Sequence, residues 1–190
     1  MYGFLRWVGL SIYFFRRWQV SGRHNLPPTG GMIIAANHNS AWDPILLACA
    51  INREIFYMGK EELFKKPLGA WFFTSLHAFP VKRGAIDRSA IRKAISILQA
   101  GQVLGIFPEG TRVEKGQMAE PQSGVALLAL KAKVPIIPVG LQGSRSGEPP
   151  KAIVGEPLYF DEYYEMKPNS ALLNKISQQV MQEVNRLLAG

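Results

Sequence analysis

The run Met32-Ile33-Ile34-Ala35-Ala36 is apolar throughout and stops abruptly at Asn37-His38-Asn39-Ser40-Ala41-Trp42-Asp43-Pro44, after which a second apolar run, Ile45 to Ala50, begins. A short Ile-rich run bounded by glycines on one side and polar residues on the other reads as a buried strand, and Asp-Pro ahead of a longer apolar stretch reads as a helix start. His38 then sits just past the end of a strand. In open α/β sheets the crevice outside the carboxyl ends of the strands is where ligands bind, and a histidine there with a carboxylate five residues on is a candidate base with an orienting partner. The bland reading is equally simple. Asp43 is a good N-cap and Pro44 a good first helical residue, and a lone histidine at a strand end is often only a hydrogen-bonded structural residue.

The same pattern recurs along the chain. Ala78-Phe79-Pro80-Val81 reads as a short strand leading into Lys82-Arg83-Gly84, and Val103-Leu104-Gly105-Ile106-Phe107 as a buried strand leading into Pro108-Glu109-Gly110-Thr111-Arg112. Helical segments lie between: Asp87 to Ala100 carries Ile91, Ala94, Ile95 and Leu98 at helical spacing, Gly124 to Lys133 is an apolar helix, and Asn169 to Leu188 sets Leu172, Ile176, Val180, Val184 and Leu187 on one face. Glu54 to Met58 reads as a strand, Lys60 to Leu63 and Pro67 to His77 as short helices, and Lys151 to Phe160 as a last strand or hairpin. The apolar helix at Pro67 to His77 is either core or the floor of a greasy channel. Val134 to Gly140 reads as a strand, and its prolines predict an edge or bulged position. Strands alternating with helices predict an α/β fold, a largely parallel or mixed sheet flanked by helices.

Length and charge narrow the setting. A chain of 190 residues fits one domain with a full core. The balance of 22 Lys+Arg against 14 Asp+Glu, net +8, predicts attraction to polyanions such as anionic lipid, phosphorylated substrates or nucleic acid. One cysteine, Cys49, excludes an intramolecular disulfide and fits a reducing compartment. Tyr2 to Trp18 is aromatic-rich, but its uncharged part between Arg6 and Arg16 is about half the roughly 20 residues a membrane span requires. Arg16-Arg17-Trp18 stands where a secretory signal would have its small-residue cleavage site. A short amphipathic helix with Trp and Phe beside arginines suits the headgroup boundary of an anionic bilayer; packing on the domain's own core, or on a second copy, is the other reading. Gln19 to Gly31 is a turn-rich connector, so residues 1–20 are expected as a membrane-interface helix and 21–190 as a single domain.

Three strand ends thus carry polar clusters: His38 with Asp43, Lys82 with Arg83, and Glu109 with Thr111 and Arg112. In parallel neighbouring strands they meet on one edge. No nucleophile signature accompanies them, since Gly143-Ser144-Arg145-Ser146-Gly147 has arginine at the position a nucleophile elbow gives to serine. The simplest completion is a nucleophile that arrives on the substrate, a hydroxyl deprotonated by His38 while cations hold an attached phosphate. No H-E-x-x-H, C-x-x-C, P-loop or G-x-G-x-x-G occurs, so no metal or nucleotide site is indicated.

These residues resemble the conserved blocks of the glycerolipid acyltransferases. Asn37 to Asp43 is similar to the first block, H-x4-D; Phe79 to Arg83 to the second; Phe107-Pro108-Glu109-Gly110-Thr111-Arg112 to the third; and Val134 to Val139 to the fourth, in order over roughly residues 32 to 140. The resemblance implies a glycerol-3-phosphate acyltransferase-like fold. It implies transfer of an acyl group from a thioester, acyl-CoA or acyl-carrier protein, to the free hydroxyl of 1-acyl-glycerol 3-phosphate (lysophosphatidic acid) or a related lipid acceptor, without an acyl-enzyme. His38 is then the general base and Asp43 its orienter; Lys82, Arg83, Thr111 and Arg112 bind the acceptor phosphate, and Glu109 with Gly110 positions the glycerol. Val134, Pro135, Ile136, Ile137 and Pro138 line the acyl side. No metal or other cofactor is needed and no nucleic-acid partner is expected. The expected place is the cytoplasmic face of the cell membrane, peripheral or monotopic. A basic membrane- or RNA-binding module without turnover is the competing class, and intact His38, Asp43 and Glu109 argue against it.

Overall fold

In the computed structural model, which describes residues 2–15, 17–82, 86–112, 120–143 and 149–189, Met32–Ala36 forms a strand whose every residue is fully buried. A strand covered on both faces needs such a continuous apolar run. In order, the chain forms α1 (Tyr2–Phe15), β1 (Gln19–Ser21), β2 (Met32–Ala36), α2 (Asp43–Ala50), β3 (Ile55–Lys60), α3 (Pro67–Ser75), β4 (Ala78–Val81), α4 (Arg88–Gln99), β5 (Val103–Ile106), α5 (Gly124–Ala132), β6 (Ile136–Gln142), β7 (Lys151–Val154) and α6 (Ser170–Ala189). Short 3-10 turns occupy Arg23–Asn25, Glu61–Phe64 and Asp161–Tyr163.

The described strands form one sheet in the order β1-β7-β6-β2-β5-β3-β4. Strands β2 to β6 run parallel, β7 is antiparallel to β6, and β1 pairs parallel with β7. Because successive side chains alternate in direction, β2 feeds two cores. Met32, Ile34 and Ala36 join Leu46, Leu47, Cys49 and Ile51 on one face. Ile33 and Ala35 join Ala94, Leu98, Val125, Ala129, Ile176 and Val180 of α4, α5 and α6 on the other. The result is the mixed α/β architecture expected from the alternation.

Two local expectations change, and one open alternative is narrowed. The Gln19–Gly31 connector contains β1, which pairs Gln19, Val20 and Ser21 with Lys151, Ala152 and Ile153, so a division between residues 20 and 21 falls inside a strand. Strand β6 is not the edge strand that its prolines suggested: it lies inside the sheet between β7 and β2, with an unbroken register to β2. Pro138 is tolerated there because its missing donor faces the gap between the Ile136–Leu158 bridge and Gly155, whose N–H bonds the Pro138 carbonyl. The apolar helix α3 is not core, since none of its residues is buried.

Helix α1 lies against α2 and closes that helix's carboxyl end. Arg6 donates to the carbonyls of Ala48 (3.0 Å) and Ile51 (3.2 Å), and Arg23 to those of Ala50 (2.8 Å) and Cys49 (3.1 Å). Cations on the last carbonyls of a helix satisfy otherwise orphaned acceptors and suit the helix dipole. Gly9 allows the approach, since a Cβ there would stand 3.0 Å from Cys49 Sγ and from Ile45. Among the described residues no helix is long and apolar enough to cross a membrane.

Candidate active site

Strand β2 hands over to the site through Asn37, whose buried side chain extends the ladder: Nδ2 donates to the Leu141 carbonyl (2.9 Å) and Oδ1 accepts from the Leu141 N–H (2.7 Å). The loop that follows closes around Asp43. The expected capping role of Asp43 is not what the structure shows. Asp43 is the first residue of α2, Trp42 occupies the cap position without a side-chain cap, and the Asp43 carboxylate turns back instead of forward. Its Oδ2 accepts from the N–H groups of Asn39 and Ser40, both at 2.6 Å, and lies 3.0 Å from His38 Nδ1. Backbone donors converging on one fully buried carboxylate oxygen make a rigid, charge-assisted anchor.

The histidine ring is held from two sides and its main chain from a third. With Nδ1–H directed at Asp43, the lone pair of the ring lies on Nε2. Phe107, just past β5, stacks on the imidazole at 4.2 Å between centroids and 23° between planes. Glu109 Oε2 accepts the His38 N–H at 2.9 Å. Glu109 is buried, and burial pushes its carboxyl above the ordinary value while the His38 N–H pulls it down. The next residue, Gly110, has φ 69, a backbone conformation that L side chains rarely adopt, so glycine is favoured there.

The first and third sequence clusters therefore meet across the neighbouring strands β2 and β5. Thr111 and Arg112 are exposed beside them. Lys82 is exposed at the end of β4 on the same edge, with β5 and β3 between it and β2, which at the usual strand spacing is about 14 Å. Its N–H donates to Asp87 Oδ2 (3.0 Å). Arg83 lies outside the described residues. Val134, Ile136, Ile137 and Pro138 are buried around the start of β6, where Ile136 and Ile137 pair with Ile33 and Ile34, and Pro135 is half-buried. This fourth block sits in the core several residues before the level of His38, and the acyl-side role expected of it rests on the resemblance. Among the described residues no group of three or more His, Cys, Asp or Glu is placed to hold a metal ion.

Several positioning residues escaped the sequence reading. Tyr57 of β3 is buried and donates its hydroxyl to the Pro44 carbonyl (2.8 Å), steadying the first turn of α2. Gly105 of β5 makes room for that ring, since a Cβ would lie 2.6 Å from it. A lone glycine inside an apolar strand was the available signal of a close approach. Phe107 carried no signal of stacking on a residue from a different strand end.

The family model described as Acyltransferase matches residues 17–142. The chain belongs to the acyltransferase family. It is 32% identical over 179 residues to the 1-acyl-sn-glycerol-3-phosphate acyltransferase of Bacillus subtilis, covering 89% of each chain. It is 30% identical over 163 residues to the protein of the same name from Streptococcus pneumoniae, covering 82% of this chain and 60% of that one. Among solved structures it is similar to the 1-acyl-sn-glycerophosphate (LPA) acyltransferase PlsC from Thermotoga maritima, with a TM-score of 0.73, 26% identity, and coverage of 98% of this chain and 79% of that one.

Proposed function

We propose that this acyltransferase moves a fatty acyl group from a thioester, carried by coenzyme A or an acyl-carrier protein, to the free hydroxyl of 1-acyl-glycerol 3-phosphate, giving phosphatidic acid. The observation that carries the reading is the pair of His38 Nδ1 and the buried Asp43 carboxylate at 3.0 Å, at the carboxyl edge of the sheet. The acceptor hydroxyl gives its proton to Nε2 as its oxygen attacks the thioester carbonyl carbon. When the addition intermediate collapses, the carbon–sulfur bond breaks and the imidazolium, facing Asp43, returns the proton to the departing sulfur. No acyl-enzyme forms. The N–H groups of His38, Asn39 and Ser40 are occupied by Glu109 and Asp43, so an oxyanion hole must draw on other donors.

Arg112 and Arg83, with Lys82 and Thr111, bind the acceptor phosphate; guanidinium groups grip phosphate bidentately and lysine adds a point charge. Glu109 and Gly110 shape the glycerol end through the His38 main chain. Val134 to Pro138 back the acyl side from within the sheet. No cofactor takes part, and residues 1–20 rest on the cytoplasmic face of the cell membrane as a peripheral element.

The test is release of free thiol from acyl-CoA with lysophosphatidic acid, glycerol 3-phosphate and a neutral lysolipid as alternative acceptors. Turnover is expected with lysophosphatidic acid, and His38→Ala is expected to lower it by on the order of 10²–10⁴ with unchanged thermal melting. Normal turnover in that variant removes the mechanism. Arg112→Ala is expected to raise the acceptor KM more than the donor KM, and equal effects on both substrates count against a phosphate contact.

A further inference from the structure

Helix α3 turns an apolar face outward. Leu68, Trp71 and Phe72 are 76%, 54% and 36% exposed, and Leu63 just ahead of the helix is 40% exposed. The spacing i, i+3, i+4 puts the three helical residues on one face. The other side is held against the turn just ahead of the helix and against β4: a Cβ at Gly69 would stand 2.5 Å from the Leu63 carbonyl oxygen, and Phe73 packs on Phe64 with ring centroids 5.9 Å apart. The outward face is thus held outward by a packed inner face.

What surrounds this face says what it meets. Lys65 and Lys66 are exposed directly before the helix, and with Lys60 they outnumber Glu61 and Glu62 of the preceding turn, in a chain of net charge +8. Trp and Leu beside lysines fit the boundary between lipid headgroups and acyl chains, where the amphipathic rings settle and cations meet anionic lipid. The segment also leaves the carboxyl end of β3, the edge that carries His38, two strands from β2 in the sheet, or about 10 Å.

We propose that α3 and its lysine step form a docking surface for anionic phospholipid bilayer, additional to α1, and that it sets the carboxyl edge of the sheet against the membrane. A lysolipid acceptor then reaches His38 Nε2 without leaving the lipid phase; only this purpose rests on the acceptor proposed above. The two apolar helices adjoin, because Tyr2 at the start of α1 stacks on His77, two residues past α3, at 4.6 Å.

The experiment is flotation of the full chain with vesicles of mixed phosphatidylglycerol and phosphatidylcholine, and with phosphatidylcholine alone, beside thiol release from detergent-dispersed substrates. The double variant Leu68→Ser/Trp71→Ser is expected to lose at least about tenfold in vesicle affinity. Lys65→Gln/Lys66→Gln is expected to lose about fivefold per lysine on anionic vesicles alone, a difference that disappears at high salt. Activity in detergent and thermal melting are expected to equal those of the unsubstituted chain. Unchanged vesicle affinity overturns the proposal, and so does detergent activity that falls in step with binding, which would make the face a contact for the substrate's acyl chain. Flotation needs no turnover, so a failure of the proposed reaction leaves this result readable.

Discussion

Helices α2 and α3 are made of similar material and meet opposite fates. Both carry proline in the first turn and both are apolar over most of their length, yet α2 buries every residue from Leu46 to Ala50 and α3 buries none. Strand order explains the difference. Helix α2 leaves β2 at the centre of the sheet, returns to β3 beyond β5, and is overlain by α1; α3 joins the adjacent strands β3 and β4 at the border. Helix α2 is also fastened at both ends, by Tyr57 on the Pro44 carbonyl and by Arg6 and Arg23 on its last carbonyls. Apolar content makes burial favourable, but position in the sheet decides whether there is anything to be buried against.

Substitutions can break this contrast or sharpen it. The largest effect is expected where α2 begins: Asp43→Asn keeps the shape and removes the charge that holds His38, and kcat is expected to fall by on the order of 10³–10⁴. A fall of less than tenfold would mean that the start of α2 holds no essential ring. Next, Leu47→Ala in the buried face of α2 is expected to cost about 2–5 kcal/mol in denaturant titration.

Helix α4 offers a third kind of start, with a true side-chain cap. Asp87 accepts from the N–H groups of Lys82, Ala90 and Ser89, bonds that hold its carboxyl down to about 2 from an ordinary 3.8. A depressed folded-state value means the unfolded chain takes up the proton first. The contribution is therefore present above the ordinary carboxylate range and is lost as pH falls from about 4 towards 2. Asp87→Ala is expected to lower Tm at neutral pH and to flatten its decline over that acid window. The smallest effect belongs to α3, where Leu68→Ala is expected to change stability by no more than about 0.5 kcal/mol. A loss comparable to that of Leu47→Ala would show that the two helices are not opposites.

The α/β class and the long elements could be read from residue order because they rest on local periodicity, as in the unbroken run of β2 and the spacing of α4. What escaped depends on pairing between distant segments. Strand β1 is three residues long with Gln19 and Ser21 exposed, and only β7, over a hundred residues later, makes it a strand. The site was half visible for the same reason. His38 and Asp43 are five residues apart and showed themselves, whereas the Phe107 stack and the bond from the His38 N–H to Glu109 exist only because β2 and β5 are neighbours. The cap expected at Asp43 failed because the capping pattern and a backward-turned carboxylate share one sequence, and the amides of Asn39 and Ser40 favour the second.

Helix α1 also lies over Cys49, whose Sγ is 3.7 Å from the Arg6 carbonyl oxygen and whose thiol burial pushes up to about 11. A thiol so shielded is slow towards disulfide reagents, because the thiolate is the reacting species. Lifting the amino-terminal helix would wet the sulfur and speed its labelling. The chain thus carries its own chemical clock for that motion, read by timing modification with and without vesicles.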